Sequence, residues 1–251
     1  MDRKPLIAGN WKMHTNIEEA RQLAAAVVKA AARVPDREVM IAPPYTALAA
    51  VESVIAGTGV MLGAQNVHWE GKGAFTGEIS GIMLRDIGCG MAIVGHSERR
   101  HVFGESGRMI NRRVKGALQS GLIPVFCIGE TLEQREAGQT MQVLENQVRA
   151  GLDSVALTDG GQLVVAYEPV WAIGTGKTAT EAQAQEAHSF IRGLLADLYE
   201  KNIAAQIRIL YGGSVKPDNI DILMQQNDID GALVGGAALN AESFERIICF
   251  Q

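Results

Sequence analysis

Eight times along its length the chain passes from a short apolar, β-branched run into a longer segment with the 3.6-residue period of a helix. The strand-like runs fall at 5–11, 37–42, 59–64, 90–95, 121–127, 161–167, 206–211 and 229–234, with amphipathic helices such as 17–33, 106–120, 131–151 and 180–201 between them. The runs IAGNW, MAIVG, LIPVFCI, LVVAY, IRILY and GALVG are nearly continuous hydrophobics, the pattern of strands covered on both faces. Strict strand–helix alternation requires parallel pairing with right-handed crossovers, which leaves a closed barrel or an open doubly wound sheet. Eight regular units in 251 residues favour an α/β fold with a closed eight-stranded parallel (β/α)8 barrel, here a single catalytic domain over 1–251. The polar and glycine-rich signals give a second reason. They follow strands one, four, six, seven and eight, and in a barrel all those loops open on one face. Helix starts are legible too: Asn16 precedes Glu18 and Glu19, and Thr180 precedes Glu181.

At 47% apolar residues the chain can bury a large core as one domain. The net charge of −5 and the lack of a basic stripe beyond Arg99, Arg100, Arg112 and Arg113 argue against nucleic acid as a partner. A net acidic protein cannot draw in an anion through its total charge, so an anionic ligand needs a local cation. Cys89, Cys127 and Cys249 are widely spaced in apolar surroundings without a CxxC pair, which points to neither disulfides nor a zinc site and fits a reducing, cytoplasmic setting. Only a few residues precede the first strand and no apolar run reaches the roughly 18 residues that span a bilayer, so no export and no membrane association are expected.

Three side chains stand out at strand ends. Lys12 closes the first strand in GNWK, where the Asn10 side-chain amide can hold its ammonium in place; such a lysine is either a solvated surface charge or the local cation an anion requires. His96 follows MAIVG in GHSERR, placed to donate to a substrate carbonyl. His14, His68, His101 and His188 read as loop or helix residues, and no paired-histidine spacing indicates metal. Ser97 opens the turn after His96, and Glu98 is a second carboxylate of the site or a helix N-terminal charge, with a supporting ionic role favoured. In the stretch 163–177, LVVAYEPVWAIGTGK, Glu168 is a lone carboxylate ending an apolar run, stiffened by Pro169 and followed by Gly174 and Gly176.

Glycines cluster after the last three strands, at Gly174 and Gly176, at Gly212 and Gly213 with Ser214, and at Gly235 with Gly236. One such pair is turn chemistry; three converging on one face suggest a phosphate cradle of main-chain N–H groups. The GKT at 176–178 fails as a P-loop because its first glycine would fall on Trp171, and a loose GxGxxA from Gly174 lacks the acidic strand end of a dinucleotide fold. No cofactor is expected.

Taken together, GNWKM (9–13), QNVHWEGKGAFTGEIS (65–80), GHSERR (95–100), AYEPVWAIGTGK (166–177), YGGSV (211–215) and LVGG (233–236) make the chain resemble the triosephosphate isomerase family over essentially its whole length. The resemblance implies a TIM barrel that interconverts dihydroxyacetone phosphate and D-glyceraldehyde 3-phosphate through an enediolate, in glycolysis and gluconeogenesis. It implies Glu168 as base, His96 as neutral acid and Lys12 as electrostatic stabiliser with Asn10 positioning it, and a lid over 169–177. It places substrate contacts at Gly174, Ser214, Gly235 and Gly236 and supporting roles at Ser97 and Glu98. It also implies a homodimer through the loop 65–80, with Thr76 near its tip. Two residues depart from the family pattern: His14, where asparagine is common, and Ala238, where serine is common. The residues themselves leave two rivals, a phosphate-binding barrel aldolase with Lys12 as Schiff-base nucleophile and a silent phosphate-binding scaffold.

Overall fold

The computed structural model describes residues 3–173 and 178–251. Strands β1 (Leu6–Asn10), β2 (Glu38–Ala42), β3 (Met61–Ala64), β4 (Met91–Val94), β5 (Ile123–Ile128), β6 (Val164–Tyr167), β7 (Arg208–Tyr211) and β8 (Gly231–Val234) pair in parallel in sequence order. The sheet closes where Leu6 pairs with Gly231 and Gly9 with Val234. The fold is thus the eight-stranded barrel expected from the alternation.

Helices cover the outside: α1 (Ile17–Ala31), α2 (Leu48–Ile55), α3 (Gly81–Asp86), α4 (Ser97–His101), α5 (Gly107–Gln119), α6 (Leu132–Glu136), α7 (Thr140–Gly151), α8 (Glu181–Leu198), α9 (Lys201–Ala204), α10 (Ile220–Met224) and α11 (Ala241–Ile248). No helix among the described residues is long and apolar enough to cross a membrane. Asn16 caps α1 in a reciprocal box with Glu19, and Thr180 caps α8 in the same way with Gln183.

The uninterrupted apolar runs follow from burial on both sides of each strand. Leu6, Met40, Met91, Val125, Val164 and Leu210 fill the lumen, while their neighbours Ile7, Ile41, Ala92, Phe126, Val165 and Ile209 pack under the helices. A strand facing water on one side would have alternated.

Two expected helices are divided, and the strands are shorter than expected, the sixth by the most. The segment 131–151 is two helices, because Gly138 takes φ +71°, a left-handed backbone that ends α6 and lets α7 restart at Thr140. The segment 180–201 breaks where Tyr199 becomes extended at φ −127°, ψ 159°. The sixth strand begins at Val164, since Asp159 caps a 3-10 turn over Gly160–Gln162.

Candidate active site

The end of β1 turns sharply. Lys12 has φ +50°, unusual for a residue with a side chain, and neighbours hold it there. Its N–H donates to Asn10 Oδ1 at 3.0 Å, and Gln65 Nε2 donates to its carbonyl at 2.7 Å. The turn aims the side chain across the barrel mouth. The Lys12 ammonium donates to Glu98 Oε1 at 2.7 Å, and its Cε lies about 3.4 Å from where a Cβ on Gly235 would be. Asn10 therefore positions Lys12 through the main chain; the expected grip on the ammonium by the Asn10 amide is instead supplied by Glu98.

β4 ends at a glycine in left-handed conformation, Gly95 at φ +71°, which places His96 as the N-cap of α4. His96 Nδ1 accepts the Glu98 N–H at 3.2 Å, so this nitrogen carries no proton and the neutral ring has its hydrogen on Nε2. Nε2 then donates to Glu168 Oε1 at 2.9 Å. The other carboxylate oxygen, Oε2, accepts the Ser97 N–H at 2.9 Å.

Glu168 stands one residue beyond β6, clamped by its neighbours: its N–H donates to the Ile128 carbonyl and the Gly212 N–H to the Tyr167 carbonyl, both at 2.7 Å. A Cβ on Gly212 would lie 2.8 Å from Glu168 Cγ, so glycine there leaves room for the carboxylate. Glu168 is 2% and His96 5% exposed. Burial pushes the Glu168 carboxyl up, but His96, the Ser97 N–H and the Lys12 ammonium together hold it below the usual carboxylate range. Burial opposes an imidazolium at His96, while the adjacent Glu168 carboxylate favours one and raises the His96 value.

Asn10, Lys12, His96, Glu168, Ser214, Gly235 and Gly236 line one cavity of about 770 Å³ at the carboxyl ends of the strands. Ser97 and Glu98 hold two of its lining side chains, Glu168 and Lys12. Gly174 and the end of the expected lid lie outside the described residues. His14 lies on the cavity wall. Ala238 is buried beside Gly9 and Phe244 in the 3-10 turn Gly236–Leu239.

The model for the family "Triosephosphate isomerase" matches residues 5–251. The chain belongs to the triosephosphate isomerase family. Its relatives include the triosephosphate isomerases of Magnetococcus marinus, 57% identical with 98% of each chain covered, and of Syntrophotalea carbinolica, 55% identical with 99% of each covered. Among solved structures, the triosephosphate isomerase of Bartonella henselae superposes with a TM-score of 0.88 at 38% identity, covering 97% of both chains. As a member of the triosephosphate isomerase family the protein is an isomerase. The aldolase reading is not favoured: the relatives carry the isomerase name.

Two residues beside the site escaped the sequence reading. Glu130 is fully buried just beyond β5, where it accepts from Trp171 Nε1 at 2.8 Å and from Tyr167 Oη and Arg135 Nη1 at 3.1 Å. It carried the same signal as Glu168, a lone carboxylate closing an apolar run in VFCIGE. Gln65 carried no more than its place at the head of the 65–80 motif.

Proposed function

We propose that the protein interconverts dihydroxyacetone phosphate and D-glyceraldehyde 3-phosphate, with Glu168 as base, His96 as neutral hydrogen-bond donor and Lys12 as electrostatic stabiliser. The observation that carries these assignments is the 2.9 Å contact between His96 Nε2 and Glu168 Oε1 inside the cavity that Lys12 also lines. Nε2 has one hydrogen. A substrate carbonyl that accepts it takes it from Glu168, so binding both polarises the carbonyl and releases a carboxylate lone pair for the proton on the adjacent carbon. The same exchange removes the hydrogen bond by which Glu168 favours an imidazolium, while burial opposes a charge on the ring.

Abstraction of that proton by Glu168 places a negative charge on the substrate oxygen. Lys12 has three N–H donors and Glu98 occupies one, leaving donors for the developing oxyanion. The Nε2 hydrogen of His96 passes to that oxygen and is replaced from the hydroxyl on the neighbouring carbon, and return of the proton from Glu168 to the former carbonyl carbon then completes the isomerisation with no net change in the enzyme.

Ser214, Gly235 and Gly236, with Gly174, are the proposed phosphate contacts. Among the described residues, and apart from its own chain neighbours, no atom lies within 4 Å of the position a Cβ on Gly236 would take, so the main chain there leaves space for a ligand. The test is a coupled assay with glyceraldehyde 3-phosphate: turnover to the ketose is expected, and a folded protein that leaves the aldose unchanged would sink the reading.

The single barrel domain over 1–251 is proposed to work in the cytoplasm as a homodimer. Free Cys89, Cys127 and Cys249 suit a reducing compartment. Apolar side chains stand exposed in the loop 65–80, at Phe75, and just after it, at Ile82 and Met83, and others at Met13 (94%), Val102 and Phe103 (67%). An apolar patch of this kind calls for a partner, and a second copy of the chain meets it through a two-fold contact. Sedimentation should give twice the chain mass, and Thr76→Arg should shift it towards the monomer; a wild-type monomer at micromolar concentration would refute the assembly.

A further inference from the structure

Glu168 is held from behind as well as from the cavity. The Ile128 carbonyl that accepts its N–H at 2.7 Å belongs to the peptide group whose N–H is that of Gly129. The Gly129 N–H donates to Gln147 Oε1 at 2.9 Å, and Gln147 Nε2 returns a hydrogen bond to the Gly129 carbonyl at 3.0 Å. One side-chain amide from α7 thus grips both polar groups of a glycine just past the end of β5. That glycine is pressed against the base: a Cβ on Gly129 would overlap the Glu168 carbonyl oxygen. The residue must therefore be glycine, and a glycine without an external grip is free to rotate its peptide planes.

We propose that Gln147 is a positioning residue for the proton transfer, fixing the Ile128–Gly129 peptide plane and through it the placement of the Glu168 carboxylate. The relay runs from the Gln147 amide through one peptide group to the Glu168 N–H, a chain in which each hydrogen bond polarises the next. Rotation of that plane would withdraw the carbonyl on which Glu168 rests. The flanking charged groups, Glu130 and Arg135, are paired with each other at 3.1 Å. The proposal rests on Glu168 being the base.

Two substitutions test it. Gln147→Met keeps the length and removes both hydrogen bonds; kcat should fall about tenfold, with KM for glyceraldehyde 3-phosphate and inhibition by inorganic phosphate within about twofold of wild type. Gln147→Glu introduces a carboxylic acid that accepts and donates as the amide does when protonated but cannot donate when ionised. Its kcat relative to wild type should therefore rise severalfold from about pH 8 to about pH 5. A packing role leaves that ratio flat. The proposal is overturned by a flat ratio, by a folded Gln147→Met enzyme with kcat within about twofold of wild type, or by a change confined to KM. Glu168→Gln separates the two readings: if it retains turnover the base assignment fails, and if only it loses turnover while Gln147→Met does not, Gln147 alone is at fault.

Discussion

Glu168→Gln should lower kcat by roughly 10²- to 10⁴-fold while leaving the fold and KM close to wild type. Glutamine has the same shape, and its amide oxygen can still accept the Ser97 N–H that Glu168 Oε2 accepts at 2.9 Å. What it loses is the lone pair able to take a proton from carbon. Steady-state kinetics on protein shown to be folded by its thermal transition decide the matter, and turnover within a few fold of wild type would remove Glu168 from the mechanism.

The same substitution should change the pH dependence. Because the folded-state value of Glu168 lies below that of a free carboxyl, the limb of wild-type kcat/KM set by the base falls only as pH drops through that lowered value, below the limb set by protonation of His96, whose value is raised. The stability contributed by the ionised carboxylate has the same sign: it is present above the unfolded value of about 4.3 and is lost as pH falls through the folded one. Glu168→Gln removes both dependences, and an unchanged acid limb in its residual activity would assign that limb to another group.

Lys12→Met should cost roughly 10²- to 10³-fold in kcat, the scale of one oxyanion donor. It should also weaken inhibition by inorganic phosphate, because in a chain of net charge −5 the local cation does the attracting. Removing it leaves Glu98 facing the cavity without the partner it holds at 2.7 Å, an added repulsion towards an anion. Lys12→Arg is expected to restore little, since a planar guanidinium will fork onto Glu98 and point elsewhere. Borohydride added during turnover should trap no adduct on Lys12. A trapped adduct, or a Lys12→Met enzyme within tenfold of wild type, would contradict electrostatic stabilisation.

The barrel was legible because strands covered on both faces leave a mark that needs no partner to read: near-unbroken apolar runs at regular spacing. Lys12, His96 and Glu168 were legible as polar groups where such runs end. Less visible was anything acting through the main chain. Asn10 was expected at the Lys12 ammonium, yet its oxygen accepts the Lys12 N–H at 3.0 Å. Gln65 and Gln147 look like ordinary polar residues in a loop and a helix, because hydrogen bonds to a carbonyl depend on a fold, not on spacing. The helix breaks at Gly138 and Tyr199 were missed for a related reason: an amphipathic pattern continues through a single residue whose backbone leaves the helix.

The join between β1 and β8 carries a consequence for synthesis. Leu6 emerges among the first residues and waits for Gly231 before the cylinder can seal. Lys12, made early, and Gly235, one of the last glycines made, lie side by side at the mouth, so a nascent polypeptide halted in its eighth repeat has most of the parts and no working centre. Activity should therefore switch on in a single step late in translation, and a chain cut between Tyr211 and Gly231 should stay silent until the missing piece is supplied in trans.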